Sequence, residues 1–238
     1  MKIVIIGGTG RIGSKVAEHL RNKGHDVVQS APSTGVDTLT GEGLADVLAG
    51  AEVVLDVSNS PSFEPSAVLS FFERSTANLL AAERAAGVSH HVALSIVGIE
   101  RSPDNGYFRA KVAQESLIKK GGVGGIADEA TVDRTVRVSS GAFQPIAADD
   151  VAAFVAEATI GKPENQTIEI AGPEKKPMSD FISEYLAAVG DSRKVVADPD
   201  AKYFGTRVDD QALVPLGSAK LGKLDFRTWN AKHPQAAA

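Results

Sequence analysis

Ile3-Val4-Ile5-Ile6-Gly7-Gly8-Thr9-Gly10-Arg11-Ile12-Gly13 is the stretch that decides the fold. Four β-branched residues in a row match a strand buried on both faces. Glycines break the strand. Ile12, Val16 and Leu20 then recur every four positions, giving a helix that Gly24 closes. A tight turn between a buried strand and a helix leaves the first amides of the helix without acceptors, a ready place for negative charge. Here the first glycine permits the turn, the second lets backbone approach a diphosphate, and the third lets helix and strand pack closely. Gly7, Thr9, Gly10, Arg11, Ile12 and Gly13 are thus candidate contacts for a dinucleotide.

Outward from this turn, strands and helices alternate. A second strand is expected at His25–Gln29, followed by a polar, turn-rich stretch with a short strand at Val36–Leu39. Leu44, Val47 and Leu48 predict a short helix, and Glu52–Val57 another buried strand. A Ser-, Pro- and Asn-rich loop follows at 58–62. A long helix spans 65–86, with a strand at His91–Val97 and a helix at 106–120. This pace predicts a parallel α/β sheet with right-handed crossovers. Beyond it, strands are expected at Thr135–Ser139, Phe143–Ile146 and Gln166–Ala171. Helices are expected from Asp149 to Thr159, from a Ser179 cap to Val189, and at 224–232 around Trp229.

Composition narrows the function. The chain has 238 residues, enough for one domain with an appended lobe, and 43% hydrophobic residues, enough for a packed core. Its 30 acidic against 25 basic residues leave a net charge of -5, which argues against sequence-independent binding to nucleic acid. It has no cysteine, so disulfides, thiolate catalysis and cysteine-held metal are excluded. No apolar run approaches the ~20 residues of a membrane span, and the apolar start runs into a glycine turn instead of a cleavage site. A cytoplasmic protein is expected. His90 and His91 alternate across a strand and cannot share one metal, so no metal site is expected.

Two further groups carry chemistry. The second strand ends in Gln29-Ser30-Ala31-Pro32-Ser33, with no acid to take a ribose 2′-hydroxyl, while Arg11 can reach a 2′-phosphate. The reading leans to NADP, with NAD possible, and with Arg11, Ser30 and Ser33 as contacts. Tyr107 and Lys111 share one helix face. An ammonium beside a phenol favours the phenolate, allowing proton exchange with a carbonyl or alcohol oxygen near neutral pH. Ser95, at the end of the preceding strand, can hydrogen-bond the same oxygen.

The glycine turn and Tyr107-x-x-x-Lys111 together resemble the short-chain dehydrogenase/reductase superfamily, in its atypical or extended, NmrA-like NAD(P)-binding branch. Asn78-Leu79-Leu80-Ala81-Ala82, His91-Val92-Ala93-Leu94-Ser95, Pro145-Ile146-Ala147-x-x-Asp150-Val151-Ala152 and Ile170-Ala171-Gly172-Pro173-Glu174 extend the resemblance over most of residues 1–175. It implies a Rossmann-type doubly wound sheet, with residues 1–160 binding NAD(P) and a smaller lobe, 161–238, capping the substrate. It implies a reductase of a small carbonyl or quinone-like molecule. Tyr107 would be the general acid, and Ser95 would position the oxygen. Lys111 would bind the nicotinamide ribose and tune Tyr107, with Ser58 and Asn59 lining the cofactor. Relatives carry an apolar strand after the Tyr–Lys helix; here Gly121-Gly122-Val123-Gly124-Gly125 stands in its place. The branch also includes proteins that bind dinucleotide without catalysis, so an NADP(H)-sensing regulatory protein is the alternative. Monomer and dimer both stay open.

Overall fold

The Ile3–Ile6 run forms the centre of a parallel sheet. In the computed structural model, which describes residues 1–102, 104–115, 131–132, 135–164, 166–203 and 206–232, β1 (Lys2–Ile6) pairs on one side with β2 (Asp26–Ser30) and on the other with β3 (Val53–Asp56). β3 pairs in turn with β4 (His90–Ala93), giving the all-parallel order β2-β1-β3-β4. Helices α1 (Arg11–Asn22), α2 (Leu44–Leu48), α3 (Pro65–Ala86), α4 (Gly106–Glu115) and α5 (Ala148–Ile160) accompany these strands.

Alternation along the strands assigns the faces. Val4, Ile6 and Val54 pack into one core with Leu44 and Leu48 of α2 and Leu79 of α3. Ile3, Ile5, Val53 and Leu55 are equally buried and point the other way, the side where α1 and α5 pack together and against the strands. The sheet is therefore wound on both faces, as the sequence predicts.

Several local expectations change. No strand forms at Val36–Leu39. The chain closes on itself there, with the Asp37 amide donating to Glu42 O at 2.9 Å, the Gly41 amide to Asp37 O at 2.8 Å, and the Leu39 amide to Asp37 Oδ1 at 2.7 Å. Asn78 of α3 completes this turn by donating to Thr38 O and Leu39 O at 2.9 and 3.0 Å. A segment whose backbone is satisfied this way gains nothing from a sheet edge. The strand expected at His91–Val97 ends at Ala93, where its register partner Asp56 ends β3. Ser95 therefore lies two residues past the strand. The helix of 106–120 is seen to Glu115; residues 116–130, including the glycine-rich stretch, lie outside the described residues.

Contacts divide the chain into two units. One comprises Met1–Ile96, Gly106–Lys119 and Ala148–Thr167, and the other Val97–Asn105, Lys120–Ala147 and Ile168–Ala238. The sequence reading divides the chain once, after residue 160, whereas both units draw on separated stretches. In the second unit, β5 (Thr131–Val132) and β6 (Thr135–Val138) form a sheet with β10 (Lys194–Ala197), and the other strands are two-residue pairings. Among them β7 (Ala142–Phe143), β8 (Ile170–Ala171) and β9 (Lys176–Pro177) are shorter than the runs expected at 143–146 and 166–171. Helix α6 (Met178–Ala188) starts after Pro177, so Ser179 lies inside it and is not its cap. The Phe181 ring meets Phe143 and Phe226 edge-on and lies under Lys176 Nζ at 4.4 Å from its centroid. Phe226 opens α7 (Phe226–Lys232) and stacks on Trp229, so the helix expected around Trp229 forms.

Candidate functional site

The site is built from the carboxyl ends of β1 to β4. At Gly7 the backbone turns with φ of +73°, a left-handed conformation that favours glycine. A Cβ there would also lie 2.7 Å from Val57 O and 2.8 Å from Ser58 Cα, so the turn after β1 runs hard against the chain leaving β3. At Gly13 a Cβ would run into Gly7 O and Gly8 Cα, which is how closely α1 sits on the turn. The Gly7 and Gly8 amides both donate to Ser30 O, at 2.9 and 3.2 Å, tying the turn to the end of β2. Gly10 caps α1 with no side chain, so the first-turn amides of Arg11, Ile12 and Gly13 face an open mouth. Thr9, Gly10 and Arg11 are exposed, and Ile12 is half-buried. This mouth can hold an anionic group by amide donors and the positive end of the helix.

Three serines ring the same edge. Ser30 Oγ at the end of β2, Ser58 Oγ two residues past β3, and Ser95 Oγ two residues past β4 are all buried, and none has a hydrogen-bond partner among the described residues. Buried hydroxyls in native proteins are nearly always bonded, so each of these three can take a polar partner at this edge. Ser33, the remaining predicted contact on this side, is exposed in the turn after β2.

Tyr107 lies in the first turn of α4, which packs along α3. Its ring is buried and its hydroxyl donates to Asn59 Oδ1 at 3.0 Å. The Phe63 ring lies against it, with centroids 5.4 Å apart. Asn59 and Phe63 both belong to the loop between β3 and α3. That loop is tied down in steps. The Ser58 amide donates to Asp56 Oδ1 at 2.8 Å, the Ser62 amide to Ser60 Oγ at 3.2 Å, and the Glu64 amide to Ser62 Oγ at 3.2 Å. Glu64 then caps α3 by accepting from the Ser66 and Ala67 amides, and the Ser66 hydroxyl, which also donates to it, together with these amides holds its carboxyl below the usual carboxylate range. The Lys111 side chain, expected beside the phenol, lies outside what is described.

Sequence reasoning missed two supports. Gln29 Nε2 donates to Gly8 O at 2.6 Å while its Oε1 accepts from Arg21 Nη1 at 2.8 Å, so β2 and α1 together brace the glycine turn. Asp56, almost fully buried at the end of β3, orients the loop that carries Asn59. A polar residue at a strand end is the only sequence signal for either. Beneath the site, His90 Nε2 bonds Ala158 O on the α5 side and His91 Nδ1 bonds Glu83 of α3 at 2.8 Å, so the two histidines face opposite ways as expected. Asp149, in the first turn of α5, pairs with Lys15 of α1. Among the described residues no helix is long and apolar enough to cross a membrane.

No family model matches the chain, and no curated protein matches it. Solved structures do. A hypothetical dTDP-4-dehydrorhamnose reductase from Sulfolobus tokodaii aligns with a TM-score of 0.67 at 16% identity, covering 96% of this chain and 99% of that one. UDP-glucose 4-epimerase of Thermus thermophilus, solved with NAD, aligns at 0.66 with 17% identity, covering 98% and 93%. Triphenylmethane reductase of Citrobacter, complexed with NADP(H), aligns at 0.58 with 18% identity, covering 84% and 79%. With its glycine turn at the carboxyl edge of a sheet wound on both faces, the chain has a Rossmann-type α/β fold, the fold that its resemblance to short-chain dehydrogenases/reductases implies.

Proposed function

We propose that the chain is an NAD(P)-dependent oxidoreductase that reduces a small carbonyl or quinone-like molecule and prefers NADP. The observation that carries the proposal is the carboxyl edge itself. An amide-lined mouth follows β1, and orphaned hydroxyls of Ser30, Ser58 and Ser95 follow β2, β3 and β4. Dinucleotides bind at this edge of open α/β sheets, and a diphosphate with two riboses supplies both the negative charge and the polar partners that the edge lacks. The neighbours solved with NAD and NADP(H) support the same cofactor class.

The cofactor, when bound, supplies hydride to the acceptor carbon. The residues of the chain do the rest. Gly7, Thr9, Gly10, Arg11, Ile12 and Gly13 hold the diphosphate end, with Ser30, Ser33 and Arg11 toward the adenine ribose and its 2′-phosphate. Ser58, Asn59 and Lys111 lie toward the nicotinamide end. Ser95 hydrogen-bonds the acceptor oxygen, and Tyr107 gives that oxygen its proton. A soluble small molecule in a cytoplasmic setting fits this chemistry.

The test couples binding to turnover. NADPH titration is expected to give saturable binding, and NADPH oxidation to proceed with at least one member of a carbonyl and quinone panel. Tyr107→Phe is expected to abolish turnover and to leave NADPH affinity within about twofold, since it removes a proton donor and no charge. Absence of binding to any nicotinamide nucleotide refutes the proposal. Binding with no oxidation across the panel identifies a nucleotide-sensing protein.

A further inference from the structure

We infer that Asn59 is a positioning residue that serves Tyr107 in both protonation states, accepting from the phenol and donating to the phenolate. The chemistry rests on the reductase reading above; the geometry does not. The Tyr107 hydroxyl donates to Asn59 Oδ1 at 3.0 Å. The phenol is buried to 8% exposure beneath Phe63, so the groups around its oxygen, Asn59 among them, bear on how easily it ionises. Asn59 has no second hydrogen bond among the described residues, while the backbone beside it is fixed through Ser58 and Asp56. A carboxamide held at its backbone and free at its nitrogen turns over about its broad terminal torsion. It then presents N–H where it presented C=O.

The proton balance follows directly. Tyr107, its single O–H turned from Asn59 Oδ1 to the carbonyl oxygen of the acceptor, would give that oxygen its proton, while the reduced nicotinamide would supply hydride to the carbon. The phenolate left behind accepts an N–H from Asn59, a charge-assisted bond stronger than the neutral bond it replaces. Water reprotonates Tyr107 after the alcohol departs. Asn59 neither gains nor loses a proton. The charged groups on the segments around Tyr107 are Asp56 and Glu64 flanking the loop, Glu73, Arg74, Glu83 and Arg84 on α3, and Arg109, Lys111 and Glu115 on α4. Asp56 and Glu64 are already engaged by the amides of their own segment.

The test reads the phenol itself. The ultraviolet absorbance of tyrosinate is titrated in the full chain without ligand, and the Tyr107→Phe chain subtracts the other two of the three tyrosines. Asn59→Asp puts an acceptor-only carboxylate on the phenol and is expected to raise the midpoint of Tyr107 by about one pH unit. The high-pH decline of kcat/KM should move up with it. Asn59→Ala removes the donor to the phenolate, is expected to raise the midpoint by a smaller amount, and decides the matter if Asn59→Asp does not fold. An unchanged midpoint in both variants overturns the inference, whatever the activity. Undiminished turnover in Tyr107→Phe overturns the reductase reading, whatever the titration.

Discussion

Replacing Gly7 with alanine tests the physical core of the site. Gly7 has φ of +73° and Gly24, at the end of α1, has φ of +81°. A left-handed alanine costs about 1–2 kcal/mol at either position. The surroundings differ. Around Gly24 a Cβ meets nothing within 4 Å, whereas at Gly7 it would sit 2.7–2.8 Å from Val57 O and Ser58 Cα, both backbone atoms. Forcing a methyl group into such a contact costs about a further 1–3 kcal/mol as the backbone moves. Gly24→Ala should therefore lose about 1–2 kcal/mol of unfolding free energy and Gly7→Ala about 2–5 kcal/mol. Urea unfolding followed by far-ultraviolet circular dichroism measures this, because the single tryptophan, Trp229, belongs to the other unit. The displaced turn also moves the amides of the mouth. NADPH should bind Gly7→Ala at least about tenfold more weakly, a loss of about 1.4 kcal/mol, and bind Gly24→Ala as the parent does. Losses equal to within about 0.5 kcal/mol for the two variants would refute the close-approach argument.

Two other outcomes follow from named contacts. His91 is largely buried, which disfavours its charge, but the hydrogen bond and the negative charge of Glu83, helped by Asp56, outweigh burial and raise its pKa above the ordinary 6.5. A raised folded-state pKa gives stability that is complete below about pH 6.5 and is lost as pH rises through the folded value. The urea midpoint of the parent should therefore exceed that of Glu83→Gln at about pH 6 and approach it by about pH 9; a constant difference would refute the coupling. Arg11→Ala should weaken NADPH about tenfold and NADH hardly at all, because only the former carries a 2′-phosphate for a charge-assisted bond. Equal loss for both nucleotides would remove Arg11 from the 2′-phosphate site.

The elements legible from the residues alone are those whose physics is local. Ile3–Ile6 can only be a doubly buried strand, Gly7 can take the left-handed turn, and Ile12, Val16 and Leu20 mark one buried stripe of α1; these three facts give the strand–turn–helix and, by repetition, the parallel sheet. The same locality explains where the residues mislead. Val36 and Leu39 look like strand residues, yet Asp37, Glu42 and the distant Asn78 satisfy that backbone as a turn. Tertiary structure alone decided which side chains meet at the site. Tyr107 finds Asn59 across 48 positions, Gln29 finds Gly8 across 21, and Asp56 ends β3 opposite the end of β4. Each meeting depends on strand register and on how α4 lies along α3, and these are set by burial over the whole sheet, which no short window of sequence contains.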